Sequence, residues 1–532
     1  MKAAALTRSD QARVAVEYQN LDGDLKSCFQ TITIDRRWLR EDMTLRSRKR
    51  DDTASWHVQD LGPPPAAVSQ PPQVLPEGQK TECPIVQKIT PNMVYVHART
   101  PYETDGTRSQ EVTYMGLVIN ASKGLVITAR SFIPSTLCIL RICFADSIEV
   151  PAKRVYDHAL GFTVIEYDSS LIKGSIGSVS LSQKVPKVQD KITIYGPEID
   201  GSGPFPTEVT VKCIGPMIGD YECERYYHPI NVDVLHLEEQ TFGGTGALLD
   251  ENGDLQGLWL PFHVDGDKWA GVPLSLLLPV FHQLQQGIIP PECRMLDVEL
   301  EAVHKDDVKA FGVPEGKRVP LSFVEYPLIH LTETVKAFPE RNFIQVKKLS
   351  CSHRNGLEAG DIILSQGKKP VTHMSDLCDM FTEKSLRMSV IRGQVNVDVD
   401  VPTIPVSSRQ SNRVVWFAGA QFEQPYSPVP LCARGLYSQV FVTRIQQGSP
   451  AEMYNLLRHH FVTQVQGVAT VDIDNFIMEI KKVPDGQFCQ LTLLDLLGCA
   501  RTVSVKHNQR DFKTSVALQK NGSLSDWHCE AL

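Results

Sequence analysis

The sequence predicts a mainly β chain in which a pair of β-barrels, or a β-sandwich, is followed by two mixed α/β modules. Three observations predict it. Between Cys83 and about Gly287, short apolar runs are split by Gly, Pro, Asn and Asp. Two later stretches, about 292–403 and 412–506, carry the same order of elements, the mark of an internal repeat. A proline-rich stretch separates all of this from an N-terminal hairpin pattern. At ~100–200 residues per domain, a chain of 532 residues has room for several such units.

The elements follow in chain order. RVAVEYQNLDGDLKSCFQTITID (13–35) reads as a hairpin around Asp22-Gly23 and resembles QLTLLDLLGCARTVSVKHN (490–508), which closes the last unit. A closing hairpin without opening strands buries too little apolar area to stand alone. Residues 1–40 are therefore expected to be the end of a module, docked elsewhere or belonging to a longer design. Residues 41–82 form a linker, where Pro63, Pro64, Pro65, Pro71, Pro72 and Pro76 lack the N–H that helix or sheet requires. The basic run Arg46, Arg48, Lys49 and Arg50 reads as a nuclear-import signal, as a phosphate patch, or as a solvated loop beside Asp51 and Asp52.

Residues 83–290 carry strands at 93–98, 112–120, 124–129, 137–144, 162–168, 191–196, 208–214, 246–250 and 255–260, rich in the Val, Ile, Leu, Tyr and Thr that suit a pleated sheet. Asn252-Gly253 marks a hairpin turn. Leu274, Leu277, Leu278, Phe281 and Leu284 have helical spacing, with Gly287 as the stop. The modules at 291–405 and 410–510 each read as strand, short helix, Gly turn, strand, Gly turn, helix; 511–532 is a tail.

Composition narrows the function. Lys and Arg number 54 against 62 Asp and Glu, a net charge of −8, which argues against nucleic-acid binding. Hydrophobic content of 42% rules out wholesale disorder, and no apolar run approaches a membrane span. The 13 cysteines lack CxxC pairs, so no structural zinc site and a reducing compartment are expected. GxxxxGK and HExxH are absent, and no GxGxxG opens a helix after a strand, so no cofactor or metal is implied.

Three segments fall where acyl-transfer chemistry would need a general base, an orienting carboxylate and a hydroxyl nucleophile in a Gly-rich oxyanion turn. They are GLVITAR-Ser131, then YDHAL-Gly161-FTVI, then FGG-Thr245-GAL. The chemistry itself is missing. Ser131 stands in place of the base, Gly161 in place of the carboxylate and Thr245 in place of the serine. No catalytic residue is therefore assigned. His158 is the only imidazole nearby, and its plainest reading is a surface turn residue beside Asp157.

These segments resemble those of HtrA-like serine proteases, and the resemblance extends through IEVPAKRVYDH, RYYHPINVDV, GDLQGLWLPF, HQLQQGIIP, GDIIL, QGSPAEMYNLL and VATVDIDNFIMEI. It is similar to the second, degenerate half of the long duplicated members, and to the fungal nuclear type linked to apoptosis more than to the plant one. The resemblance implies a degenerate trypsin-like double β-barrel at 83–290 and PDZ-like domains at 291–405 and 410–510, with a PDZ-like remnant at 1–40. It further implies a nuclear (alternatively cytoplasmic) protein whose partners are peptides or unfolded segments, a second copy of itself or a partner HtrA-like chain. Hydrolysis would belong to the family's other half, absent from this sequence.

PDZ modules take a peptide as an added strand, its carboxylate held by a small-residue loop. Phe417, Ala418, Gly419 and Ala420 are the candidates for that loop; Phe311-Gly312-Val313 offers no convincing counterpart in the first module. Ser449 is placed to cap a helix begun by Pro450 and Ala451.

Overall fold

The computed structural model describes residues 11–19, 25–33, 84–100, 104, 109–133, 137–144, 148–172, 176–196, 205–217, 231–238, 245–262, 269–303, 343–351, 356–393, 395–426, 429–519 and 527–532. The linker at 41–82, the basic run at 46–50, Phe311-Gly312-Val313 and the Gly243-Gly244 turn lie outside them. The chain divides into two units, Met1–Val74 and Leu75–Leu532.

In the first unit, β1 (Gln11–Gln19) and β2 (Leu25–Thr33) pair antiparallel, with Gln11 opposite Thr33 and Gln19 opposite Leu25. This is the hairpin expected from 13–35; its Asp22-Gly23 turn lies outside the described residues.

The second unit opens with two closed six-stranded barrels. The first runs β3 (Met93–Thr100), β4 (Gln110–Asn120), β5 (Leu125–Ala129), β8 (Phe162–Tyr167), β7 (Glu149–Asp157), β6 (Ile139–Cys143) and back to β3. The second runs β10 (Phe205–Pro216), β11 (Asp233–Leu237), β14 (Trp269–Pro273), β13 (Leu255–Pro261), β12 (Gly246–Leu249), β9 (Lys191–Gly196). The strands β7, β11 and β14 complete the set read from the sequence, and the barrel alternative holds over the sandwich.

The amphipathic period of two is clearest in β3, where Val94, Val96 and Ala98 are buried between less buried neighbours. By contrast β13 is buried along its whole length. Its Trp259 fills the second barrel with Leu235 and Leu248, while Leu258 and Leu260 face a larger core shared by both barrels. A strand sandwiched this way reads as a continuous apolar run, as LQGLWL does. The helix Leu278–Gln285 buries Phe281 and Leu284 in that shared core, and Gly287 ends it at φ +73°. The Asn120 side chain donates to the Gln285 carbonyl at 2.6 Å, satisfying one of the helix's last acceptors.

Two sheets with PDZ-like arrangement follow. The first is β16 (Val298–Val303), β17 (Phe343–Leu349), β18 (Ile362–Gln366), β20 (Ser385–Arg392) and β21 (Val395–Pro402), with β19 (Lys369–Pro370) on β18. Its apolar residues Leu300, Ile344, Ile363 and Met388 continue the shared barrel core. The expected helix is instead the 3₁₀ segment Met374–Phe381, broken at Leu377 (φ −92°, ψ 18°).

The second module has a separate core built on Phe417, Phe422, Phe476 and Leu491. Its sheet runs β29 (Ala500–Lys506), β28 (Phe488–Leu494), β26 (Phe461–Val465), β25 (Phe441–Ile445), β24 (Ala420–Glu423), β23 (Arg413–Phe417), β30 (Ser515–Gln519), β31 (Trp527–Ala531). The sequence read 511–532 as a tail; β30 and β31 join the sheet there. The expected cap is present, with Ser449 Oγ accepting from the Glu452 N–H at 3.3 Å.

Candidate active site

Each of the three positions set against the acyl-transfer pattern lies at the end of a barrel strand. Ser131 sits in the 3₁₀ turn Arg130–Phe132 that leaves β5. Gly161 lies in the tight β7–β8 connection, and its carbonyl accepts the Arg130 N–H at 2.8 Å, which holds the two turns together. Thr245 leads directly into β12.

Each position carries an observation about chemistry. Ser131 Oγ and Thr245 Oγ1 are both sealed from solvent without a hydrogen-bond partner among the described residues. Gly161 adopts φ +85°, where an aspartate would be strained, and a Cβ there would lie 3.3 Å from the Phe262 ring. A carboxylate at 161 is therefore disfavoured by backbone and by packing.

His158 departs from the sequence reading. It is buried at 1% exposure rather than lying on a surface turn. Its ring stacks on Phe162 at 4.8 Å and abuts Phe381 at 4.9 Å. Nδ1 accepts the Leu160 N–H at 3.1 Å. Burial, assisted by the Arg130 charge, pulls its pKa from the usual 6.5 to about 3. This imidazole braces a turn and stays neutral. Because its folded-state pKa is depressed, the unfolded chain takes up the proton first, so stability is full above about pH 6.5 and falls as pH drops toward about 3. We expect His158→Gln to flatten the loss of urea resistance between pH 7 and pH 5; an unchanged pH slope would exclude His158 as its source.

Beside it lies a buried polar network that no sequence pattern signals. Asp157 faces Arg154 at 3.5 Å. It also accepts from Thr163 Oγ1 at 2.7 Å and Gln410 Nε2 at 2.8 Å. Arg154 in turn donates to the Ile133 carbonyl and to Gln410 Oε1, each at 3.0 Å. Burial raises the Asp157 pKa, but the Arg154 and Arg130 charges and the two donors outweigh it and hold the carboxyl below its usual range. Its carboxylate is turned to Arg154, Thr163 and Gln410.

The candidate peptide loop is a two-residue hairpin turn. Ala418 (φ +51°) and Gly419 (φ +80°) join β23 to β24, with Phe417 opposite Ala420. The Ala418 carbonyl accepts from Ala451 N–H at 3.0 Å and the Gly419 carbonyl from Gln446 N–H at 2.8 Å. A Cβ on Gly419 would lie 2.2 Å from Ser449 Cβ. Strand β24 pairs with β23 on one side and β25 on the other, so it presents no open edge.

One group of metal-ligating types occurs among the described residues. His97, Cys143 and Glu149 bring ligand atoms within 4.8 Å of one another on adjacent strands of the first barrel. His97 Nδ1 is engaged by Thr113 at 2.7 Å, and Glu149 by Arg141 at 3.5 Å. Spacing along the chain gave no hint of it, because the three come from separate strands. No helix among the described residues is long and apolar enough to cross a membrane.

No family model matches the chain. It is 30% identical to the pro-apoptotic serine protease nma111 of Aspergillus fumigatus, over 98% of this chain and 51% of that protein. The protein of the same name from Chaetomium globosum is also 30% identical, over 97% of this chain and 51% of its own length. The chain thus spans about half the length of the curated relatives it matches. Among solved structures, the HtrA-type protease AlgW with tripeptide matches 60% of this chain with 95% of its own, at 16% identity and a TM-score of 0.39. The serine endoprotease from Yersinia pestis matches 61% with 97% of its own, at 16% identity and a TM-score of 0.35.

Proposed function

We propose, on the premise that the chain is homologous to one half of the fungal pro-apoptotic serine proteases, that it is the non-catalytic half of an HtrA-like design: a pseudoprotease barrel pair whose PDZ-like modules serve peptide binding or assembly. The observation that carries this reading is the Thr245 hydroxyl, buried without a hydrogen-bond partner among the described residues. Ser131 cannot act as its base, and His158, the imidazole next to Gly161, spends Nδ1 on Leu160 and is buried against Phe162 and Phe381. Loss of such groups lowers turnover by ~10⁴–10⁶. Purified chain is therefore expected to leave unfolded casein uncut and to take no label from a fluorophosphonate probe, with Thr245→Ala indistinguishable from wild type. Labelling that disappears in Thr245→Ala would overturn the reading.

Peptide capture at Phe417, Ala418, Gly419 and Ala420 belongs to this proposal, and it requires β23 to yield its place beside β24. Assembly with a second copy or a partner HtrA-like chain is the other use of the same modules. A second reading is favoured by the half-length match: the activity in the relatives' name resides in residues outside this sequence, and the whole protein is a serine endopeptidase. Nuclear residence is likewise proposed, through Arg46, Arg48, Lys49 and Arg50; changing all four to Ala would shift a fluorescent fusion to the cytoplasm, and unchanged distribution would remove that role.

A further inference from the structure

We infer that the peptide groove of the first PDZ-like module is latched shut by Asn231, Val232 and Asp233 of the second barrel, and that it opens to an extended segment bearing a carboxylate. The inference rests on the proposed peptide-binding role of these modules and specifies its regulation. A PDZ-type groove lies between a strand edge and a helix, and a ligand joins the sheet there. In the first module the strand is β16, paired by β17 on one side only among the described residues. On its other side stands Asn231. Its Nδ2 donates to the Val298 carbonyl at 2.9 Å, and its Oδ1 accepts the Leu300 N–H at 3.0 Å. Those are the two edge groups that an added strand would engage. One side-chain amide thus substitutes for a ligand's peptide group.

The next two residues complete the mimicry. Val232, 1% exposed, joins the apolar core containing Val298, Met374 and Leu377. Asp233 Oδ2 then accepts from the Ser375 N–H at 3.1 Å and Ser375 Oγ at 3.0 Å, at the start of the 3₁₀ segment on the far wall. The three residues therefore bridge strand to helix. Asp233 is also the first residue of β11, opposite Pro216, so the latch is continuous with the barrel wall.

The second module reaches the same arrangement with a different piece of chain. Strand β24 occupies the place of β16, each pairing with the strand that enters its module's core. Its other edge is filled by β23, and Arg413 of β23 forms an ion pair with Asp474 in the first turn of the helix Ile473–Ile480. In both repeats, own chain lies between strand and helix. The bound segment in the first module also defines the ligand that fits: an extended stretch with an amide for Val298 and Leu300 and, two residues on, a carboxylate for Ser375.

The test uses the full chain and a fluorescein-labelled peptide with the sequence of residues 228–237, HPINVDVLHL. Fluorescence anisotropy should show the double variant Asn231→Ala/Asp233→Ala binding this peptide at least about 10-fold more tightly than wild type, as expected from removing two hydrogen-bonded side chains from the competing segment. Adding Ser375→Ala to that background should weaken binding again. Equal affinity of wild type and double variant, or binding indifferent to Ser375, would overturn the latch. Should the double variant not fold, Asn231→Ala alone is read by hydrogen exchange. Faster exchange at the Leu300 amide is expected, and undiminished protection there refutes the inference. Cleavage of the peptide, seen by mass spectrometry, would count against the non-catalytic reading and leaves the latch measurement standing.

Discussion

Asp157→Ala lowers the unfolding free energy of the barrel unit by about 3–5 kcal/mol, the usual cost of leaving one member of a buried ion pair uncompensated. Arg154 is almost fully enclosed, with side-chain exposure of 2%, and the carboxylate it faces is 7% exposed. Removing Asp157 strands that guanidinium in a low dielectric and frees the donors on Thr163 and Gln410. The effect reaches beyond the barrel, because Gln410 lies just before β23 and ties the second module's approach to β7. Urea denaturation followed by tryptophan fluorescence checks it; a midpoint within error of wild type would show that the network contributes nothing net. The pH dependence has a defined sign. Since the carboxyl is held below its usual range in the folded state, its stabilisation is present above the unfolded-state value, roughly pH 4, and fades as pH falls below it. This acid loss should be absent in Asp157→Ala and lies below the pH 7 to pH 5 interval in which His158 is tested.

Gly419→Ala should destabilise the second module by roughly 2–5 kcal/mol. Placing an L-residue in the left-handed region costs about 1–2 kcal/mol, and overpacking adds about 1–3 kcal/mol. Both terms apply here, because φ is +80° and the new Cβ would overlap Ser449 Cβ at 2.2 Å. The second module has its own core, separate from the one joining the barrels to the first module. The loss should therefore appear as early exchange of amides in 413–506, with the barrel amides still protected. Uniform loss of protection across both cores would instead make the modules one cooperative unit. The same substitution bears on function, because the small residues that suggested ligand approach are the ones this contact demands.

The sequence carried the local patterns well. Alternation in MVYVHA, the Asn-Gly turn at 252–253, the Gly287 helix stop and the Ser449 cap all depend on residues within a turn or a strand of one another, and each is present in the structure. Ser131, Gly161 and Thr245 could be set against the acyl-transfer pattern because the flanking segments keep their order along the chain. Other features were not. His158 read as a surface residue because its burial comes from Phe381, which lies over 200 positions away. The strand at 515–519 was missed because its partner β23 precedes it by about 100 residues, and the strand at 527–531 pairs only with that missed strand. The helix expected near 374–381 became a 3₁₀ segment whose Ser375 and Asp376 side chains bond outside it, to Asp233 and to Thr372.

By itself, then, the sequence determined the kinds of element and their order, because periodicity and turn chemistry act over short stretches of chain. Only the tertiary structure decided where the second barrel meets the first module, which edges are left open and which imidazole is sealed away. Those outcomes depend on closing barrels and filling grooves with segments distant in sequence, and long-range contacts of that kind leave no periodic mark on the residues that make them.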